Sequence, residues 1–546
     1  MNVVVVGGVA AGTKAAAKLM REDRSANVTI YSKSRDISYA GCGLPYYVGG
    51  SIETREELIV NTPQKYEGLT GVHVVTGTEV TAVDPQNKTV TVKNLDSGTQ
   101  MTRSYDKLIL AVGAEPFVPD IVGKELYGVY TMRTPDDAIG LRGYIEENQC
   151  KSAVVVGGGF IGLEVAENLM ARGLSVTVVD MATHLMPNIF DPEMADHVKN
   201  HLESQGMRLC LGTSLKSIIG GVKAEGVDTS DGLISADVVV LSIGVRPATA
   251  FLQNTGLEMF KGTLVVDDHQ RTNLKDIYAV GDCAMVYNRI TGKGQWSAMG
   301  STANITGRCL AMNLTGTDTV YGGCMGTGVV RLAADLNAGR TGLTEQQARD
   351  LGLPVETVLV VTDDKAHYYE DAAIFVTKLI ANRETHELLG IQVLGGAVDK
   401  MVDIAVTGIA LHAKVEDFDT LDYAYAPPFS TAIHPFVQAC YAMENKLSGK
   451  MQSITPAEFA AGKAEGYRVL DVQPSPMIEG AEWIDLAKVN GPVEGLAKDE
   501  KLLLVCTRGK RAYFLQNRLK AFGYTNTLVL EGGNFFTKTF DLPRKA

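Results

Sequence analysis

The sequence predicts an α/β fold built from several domains, and three observations carry that expectation. Residues 3–6 are four consecutive valines followed by Gly7-Gly8-Val9-Ala10-Ala11-Gly12 and an alanine-rich helix. Residues 153–156 run into Gly157-Gly158-Gly159-Phe160-Ile161-Gly162 and a second helix, so strand, glycine turn and helix occur twice in that order. At 546 residues the chain is also too long for one hydrophobic core, and three or four domains are expected.

In both turns the free N–H groups and the positive end of the helix face a point where a pyrophosphate fits. The first turn is incomplete, because Val9 stands where the middle glycine of the pattern falls and the strand 28–31 ends in Ser32-Lys33 rather than in an acid. The second is a full GxGxxG, and the strand 175–179 ends in Asp180, about 20 residues on. A carboxylate there hydrogen-bonds a ribose 2′-hydroxyl and repels a 2′-phosphate, so a dinucleotide site with NADH preferred to NADPH is expected.

Between the two turns lies Ser38-Tyr39-Ala40-Gly41-Cys42-Gly43-Leu44-Pro45-Tyr46-Tyr47, one thiol on an open, glycine-flanked backbone. On the first helix Lys14, Lys18 and Arg21 share one face, which suits either a solvated surface or a ledge for a substrate with several phosphates. Strands follow near residues 72–75, 88–93 and 105–112, the last ending at Gly113; residues 238–243 run into Gly244. Residues 277–280 deliver Gly281-Asp282 to a strand tip, where the carboxylate either accepts hydrogen bonds from a polyol or caps a helix.

Composition narrows the function. Hydrophobic residues at 45% and charged residues at 21% describe a soluble globular chain, and 57 glycines suit backbone wrapped around phosphates. A net charge of −12 argues against a nucleic-acid partner. With no run of about 18 apolar residues and a strand at the very start, neither a membrane span nor a signal peptide is expected, and the protein is expected to be cytoplasmic. The eight cysteines are scattered without a CxxC pair or zinc spacing, so no metal and no disulfide framework are expected, only one or two working thiols.

The Cys42 motif, the GxGxxG with Asp180, and Ala279-Val280-Gly281-Asp282 together resemble the pyridine nucleotide-disulfide oxidoreductases, flavoproteins that use FAD and NAD(P)H. Within that family, the single cysteine, Cys42-Gly43-Leu44-Pro45-Tyr46 and Tyr425-Ala426-Pro427-Pro428-Phe429-Ser430 are similar to the coenzyme A-disulfide reductases and NADH-dependent persulfide reductases, over residues 1–445. The resemblance implies an FAD-binding domain at 1–113 and 245–320, an NAD(P)H-binding domain at 114–244 and a dimerisation domain at 321–445. It places FAD against Gly7, Gly8, Gly12, Ser32, Val80, Gly113, Gly281 and Asp282, with Cys42 as the redox thiol beside it. NADH falls to Gly157, Gly159, Gly162, Asp180 and Gly244, and coenzyme A, as substrate or bound ligand, to Lys14, Lys18, Arg21, Ser38 and Asn304.

The family's dimerisation domain reaches into a partner subunit, so the resemblance implies a homodimer with a shared site, where Tyr425 and Tyr368 or Tyr369 stand near the neighbour's redox cysteine. A phenol there would donate to a departing thiolate. His434-Pro435 resembles the His-Pro acid/base of two-cysteine reductases. This chain departs from the pattern at Gly41, where an asparagine is usual, and at Ile433, where a lysine is often found, so coenzyme A would be held less tightly. Ala10 occupies the place of a histidine found in relatives that reduce oxygen or peroxide, which favours sulfur chemistry.

After a linker at 446–451, residues 452–546 read as a small α/β domain: a strand at 501–505, the loop Cys506-Thr507-Arg508-Gly509-Lys510-Arg511, and a helix at 512–522. A thiolate at a strand-to-helix turn, ringed by N–H groups and three cations, would stabilise an anionic sulfur chain. The loop resembles a rhodanese active site, as do residues 469–472 and Leu530-Glu531-Gly532-Gly533, although Gln473 stands where an arginine is usual. The expected function is an FAD-dependent NAD(P)H oxidoreductase that reduces sulfane sulfur at Cys42, with Cys506 relaying sulfur. The alternatives are a coenzyme A-disulfide reductase, an NADH oxidase and a redox-sensing flavoprotein.

Overall fold

The structure, a computed structural model, describes residues 1–536 and divides into two units: residues 1–181 with 213–324, and residues 182–212 with those from 325 onward. The last ten residues of the expected 452–546 domain lie outside the described residues.

The first unit is built on two parallel sheets. In one, Asn2–Val6 lies between Lys107–Leu110 and Asn27–Tyr31, with Ile277–Ala279 and His73–Val75 at the flanks. In the other, Ser152–Val156 lies between Ser175–Asp180 and Val238–Leu241, with Val129–Tyr130 beyond. The unbroken valine runs follow from this geometry, since a parallel strand covered on both faces has no polar side to keep wet. The helices Ala10–Glu22 and Phe160–Ala171 leave from the C-terminal ends of the two central strands. Both turns depend on glycine. Gly157 has φ +112°, and a Cβ on Gly162 would sit 1.9 Å from the Gly157 carbonyl oxygen; Gly7 and Gly12 repeat the arrangement, with φ +106° and 1.9 Å.

The second unit carries an antiparallel sheet in the order Gly328–Ala333, Leu336–Gly342, Leu388–Gly395, Ile374–Asn382 and Val355–Asp363. Residues 182–212, inside the span expected to bind NAD(P)H, cluster with this sheet. The reason is a buried charge group. Lys378, 1% exposed, places its Nζ 2.6 Å from Glu193, 2.7 Å from Glu345 and 3.1 Å from Asp191. Asp191 in turn accepts from Gln392 Nε2 at 2.6 Å and donates its backbone N–H to Gln392 Oε1 at 2.8 Å. Burial pulls the Lys378 pKa down, but the three carboxylates outweigh it and hold the ammonium charged.

The same unit contains a five-stranded parallel sheet ordered Ser453–Ile454, Thr527–Leu530, Leu502–Val505, Arg468–Asp471 and Glu482–Trp483, with the helix Lys510–Ala521 against it. The segment expected as a linker at 446–451 begins inside a helix, Pro435–Leu447, because Lys446 is tied down. Its Nζ donates to the Thr357 carbonyl and to Glu531 Oε1, both at 2.7 Å, while Glu531 Oε2 accepts the Leu359 N–H at 2.7 Å.

Removing one member of the Lys378 group strands the others in a low-dielectric site. Lys378→Met is expected to destabilise the second unit by about 3–5 kcal/mol, measured by denaturant unfolding, whereas the exposed pair Arg35–Asp96 is worth about 0–1 kcal/mol.

Candidate functional site

Cys42 sits in a single 3-10 turn, Gly41–Gly43, that opens the helix Leu44–Gly49, and its thiol is exposed. That helix packs on Phe160–Ala171, where a Cβ on Gly49 would meet Asn168 Oδ1 at 2.1 Å. The packing brings the Tyr46 hydroxyl to 3.2 Å from Glu164 Oε1, to which it donates. Burial pushes the Glu164 carboxyl up to about 7, with Tyr46 opposing. Although Cys42 is exposed, its thiol is partly desolvated against the protein and is also pushed up, by that desolvation first and then by Glu164 and Asp282, while Arg133 pulls it down. Arg133 Nη2 lies 2.9 Å from Asp282 Oδ2, so the guanidinium that favours the thiolate is held by a carboxylate that disfavours it.

Sequence reasoning missed Glu164 and Arg133. A signal existed for the first: Glu164 is an acid in the otherwise apolar start of the helix, Phe160-Ile161-Gly162-Leu163. Arg133 precedes a helix N-cap, Thr134, and nothing in its neighbours marks it.

The residues expected to hold dinucleotides form two sets within this unit. The helix Ala10–Glu22 begins at Val9 with no side-chain cap and no acid in its first turn, and Phe160–Ala171 begins in the same way at Gly159. Bare helix N-termini of this kind suit a pyrophosphate, so the donor sets fit the two groups. Around the first lie Gly8, buried Ser32, Gly113 with φ +70°, Gly281 with φ +75°, and Asp282; Val80 is in the apolar core behind them. Around the second, an added Cβ on Gly159 or Gly244 would meet nothing within 4 Å, so the backbone there is open to a ligand. Asp180 Oδ2 accepts the Gly158 N–H at 2.6 Å, which orients the carboxylate beside the turn.

The basic stripe is less uniform than its spacing suggests. Lys14 is part-buried and Arg21 exposed, but Lys18 is buried and paired with Glu22. The helix Gly300–Leu314, which carries exposed Asn304, packs on the stripe's helix, with Gly307 close to the Ala11 carbonyl. Ser38 takes a left-handed backbone, φ +49°, and its Oγ accepts from Asn61 Nδ2 at 3.3 Å.

In the second unit Tyr368 and Tyr425 are 69% and 50% exposed, and the neighbouring Tyr368 phenol raises the Tyr425 pKa. Tyr369 is also exposed. His434 stacks on Tyr423, and its Nδ1 accepts the Phe436 N–H at 3.2 Å as a helix cap. Burial, helped by Lys400, pulls its pKa down to about 4, so the ring is neutral near pH 7 and one of its nitrogens is committed to the helix.

Cys506 follows the strand Leu502–Val505 and is 2% exposed. Its carbonyl accepts the Asn534 N–H at 2.7 Å, and Gly509, φ +89°, starts the helix Lys510–Ala521. Each of the three cations expected around the thiol also has a contact of its own. Arg511 Nε donates to the Val472 carbonyl at 2.8 Å, Lys510 lies 6.0 Å from the Phe514 ring centroid, and Arg508 Nη1 is 2.8 Å from Asp363 Oδ1. Gln473 Oε1 accepts from Thr507 Oγ1 at 3.0 Å, so a neutral side chain supports the loop where a salt link was in doubt.

Above pH 7 Glu164 is ionised and raises the Cys42 pKa; below it the carboxyl is neutral and this effect vanishes. Glu164→Gln is therefore expected to speed alkylation of Cys42 severalfold at pH 8 and leave it unchanged at pH 6, as followed by mass spectrometry.

The family model described as pyridine nucleotide-disulphide oxidoreductase matches residues 1–303, and that family's dimerisation domain matches residues 332–436. An NADH oxidase of Methanocaldococcus jannaschii is 34% identical over 451 residues, 82% of this chain and 100% of that protein. A CoA-dependent NAD(P)H sulfur oxidoreductase of Pyrococcus furiosus is 32% identical over 437 residues, 80% of this chain and 97% of its own. Among solved structures, an NAD-dependent persulfide reductase from A. fulgidus matches with a TM-score of 0.92 at 33% identity, covering 98% of this chain and 100% of that one. Two bare helix N-termini, one exposed thiol between them and these matches lead to one conclusion: the chain belongs to the pyridine nucleotide-disulphide oxidoreductase family.

Proposed function

We propose that the protein is an NADH-dependent flavoprotein that reduces sulfane sulfur, presented as coenzyme A persulfide or polysulfide, at Cys42. The observation that carries this reading is an exposed lone thiol set among a carboxyl that titrates near neutrality, a carboxylate and a guanidinium. The sulfur and persulfide reductases among the similar proteins support it, and the likeness to the A. fulgidus protein extends through the C-terminal α/β unit.

Gly7, Gly8, Gly12, Ser32, Val80, Gly113, Gly281 and Asp282 would hold FAD, whose chemistry when bound is to take a hydride and hand an electron pair to sulfur. Gly157, Gly159, Gly162, Asp180 and Gly244 would hold NADH, and the Asp180 carboxylate disfavours a 2′-phosphate. Cys42 as thiolate attacks the outer sulfur of the persulfide; the S–S bond breaks and coenzyme A leaves as a thiolate. Arg133 favours the anionic thiol, and Glu164 holds a proton on its carboxyl beside the Tyr46 hydroxyl. The net reaction is NADH, a proton and the persulfide giving NAD⁺, coenzyme A and hydrogen sulfide. Lys14, Arg21, Ser38 and Asn304 would hold coenzyme A, with Lys18 sharing its charge with Glu22. In a homodimer the neighbouring Tyr368 and Tyr425 would donate to the departing thiolate at the other subunit's redox cysteine, with Tyr369 beside them. Cys506, with Thr507, Arg508, Gly509, Lys510 and Arg511, would carry sulfane sulfur in a rhodanese-like domain.

A second reading, an NADH oxidase, is favoured by the name of the M. jannaschii relative. Anaerobic NADH oxidation separates the two. Turnover with coenzyme A persulfide or polysulfide, reduced at least about a hundredfold in Cys42→Ser, is the expected result. Turnover that requires oxygen and ignores sulfur acceptors would make the protein an oxidase, and preference for coenzyme A disulfide would make it a disulfide reductase.

The coenzyme A site has its own test. Arg21→Ala is expected to raise the KM for coenzyme A persulfide about tenfold, the worth of one charge-assisted hydrogen bond, while the kinetics with inorganic polysulfide stay as they were.

A further inference from the structure

Of the three cations in the Cys506 loop, two bind within their own α/β unit, to Val472 and against Phe514. Arg508, two residues from the thiol, does not. Its guanidinium reaches the end of the strand Val355–Asp363, where Nη1 lies 2.8 Å from Asp363 Oδ1. Both side chains remain about one-third exposed, at 35% and 32%.

This ion pair is not what holds the α/β unit to the antiparallel sheet. Glu531 does that, through Leu359 N–H at 2.7 Å and Lys446 Nζ at 2.7 Å, with Ser453 Oγ at 2.6 Å bracing its carboxylate from within the α/β unit. Phe535 and Phe536 add ring contacts to His197, with centroids 5.1 and 5.7 Å apart. A part-exposed pair beside such an anchor adds little to docking. What it does change is the charge at the loop. A planar guanidinium is the side chain best shaped to grip the oxygens of an anionic sulfur donor. Here that grip is taken by the Asp363 carboxylate, which neutralises the guanidinium two residues from the thiol.

We propose that Asp363 competes with anionic sulfur donors for Arg508 and so sets the affinity of the Cys506 loop for them. This rests on the reading of Cys506 as a sulfur-carrying thiol. With thiosulfate as donor, the Cys506 thiolate takes the outer sulfur, the thiosulfate S–S bond breaks, and sulfite leaves with the electron pair. Cyanide then removes the sulfur as thiocyanate and restores the thiolate.

The test is thiosulfate-to-cyanide transfer by the full-length protein. Asp363→Asn is expected to lower the KM for thiosulfate by about three- to tenfold with little change in kcat, and Asp363→Glu to behave like the parent. Arg508→Gln is expected to raise the KM, and adding Asp363→Asn to it to give no further fall, since the competition has lost its object. An unchanged or higher KM in Asp363→Asn overturns the proposal, as does a fall that persists in the Arg508→Gln background. Absence of transfer in every protein, with Cys506→Ser indistinguishable from the parent, removes the sulfur-carrying reading itself and the proposal with it.

Discussion

The first unit depends on a backbone contact that only glycine permits. In each parallel sheet the chain leaves the central strand through a glycine with positive φ, and the following helix starts against that glycine's carbonyl, too close for any side chain. The helix therefore begins without a capping side chain, and its first N–H groups have no internal partner. Donors of that kind suit a pyrophosphate. The flanking features follow: Asp180 bonded to the turn at one site, and Asp282 at a strand tip at the other.

Cys42 is placed by packing rather than by its own motif. The helix Leu44–Gly49 lies so close to Phe160–Ala171 that Asn168 takes the space a side chain at Gly49 would need. This closeness carries Tyr46 to Glu164 and puts Cys42 under the influence of a carboxyl near its titration point. A thiol raised by its surroundings resists ionisation at rest, and Arg133 supplies the opposing charge. Cys42 and Glu164 thus form an electrostatic pair, and a proton on one alters the cost of a charge on the other.

The second unit shows the same economy with buried charge. Lys378 is satisfied by three carboxylates, two of them from residues 182–212, so a stretch lying between halves of the first unit in sequence is tied to the antiparallel sheet in space. Glu531 works similarly at the sheet's outer strand, where its carboxylate takes the Leu359 N–H and the Lys446 ammonium together. A strand edge with unpaired N–H groups invites other strands, and a carboxylate fixed on it closes part of that edge.

How much of this was legible depends on whether the deciding interactions are local. The valine runs, the two glycine turns and the strand-ending Asp180 announce themselves because strand, turn and helix preferences act over a few adjacent residues. The candidate thiols Cys42 and Cys506 stand out for the same reason, each framed by glycine and small or charged neighbours. Periodicity also placed Lys14, Lys18 and Arg21 on one face, yet it could not show that Lys18 is buried against Glu22. Arg508 and Asp363 are 145 residues apart, Tyr46 and Glu164 are 118 apart, and Lys378 lies 185 residues from Glu193. Such pairings carry no local pattern, because a charge's partner and its desolvation are properties of the folded neighbourhood. The sequence by itself determined the elements and the chemistry they could carry; only tertiary structure decided which ionisable groups meet, and so which of them hold or lose a proton.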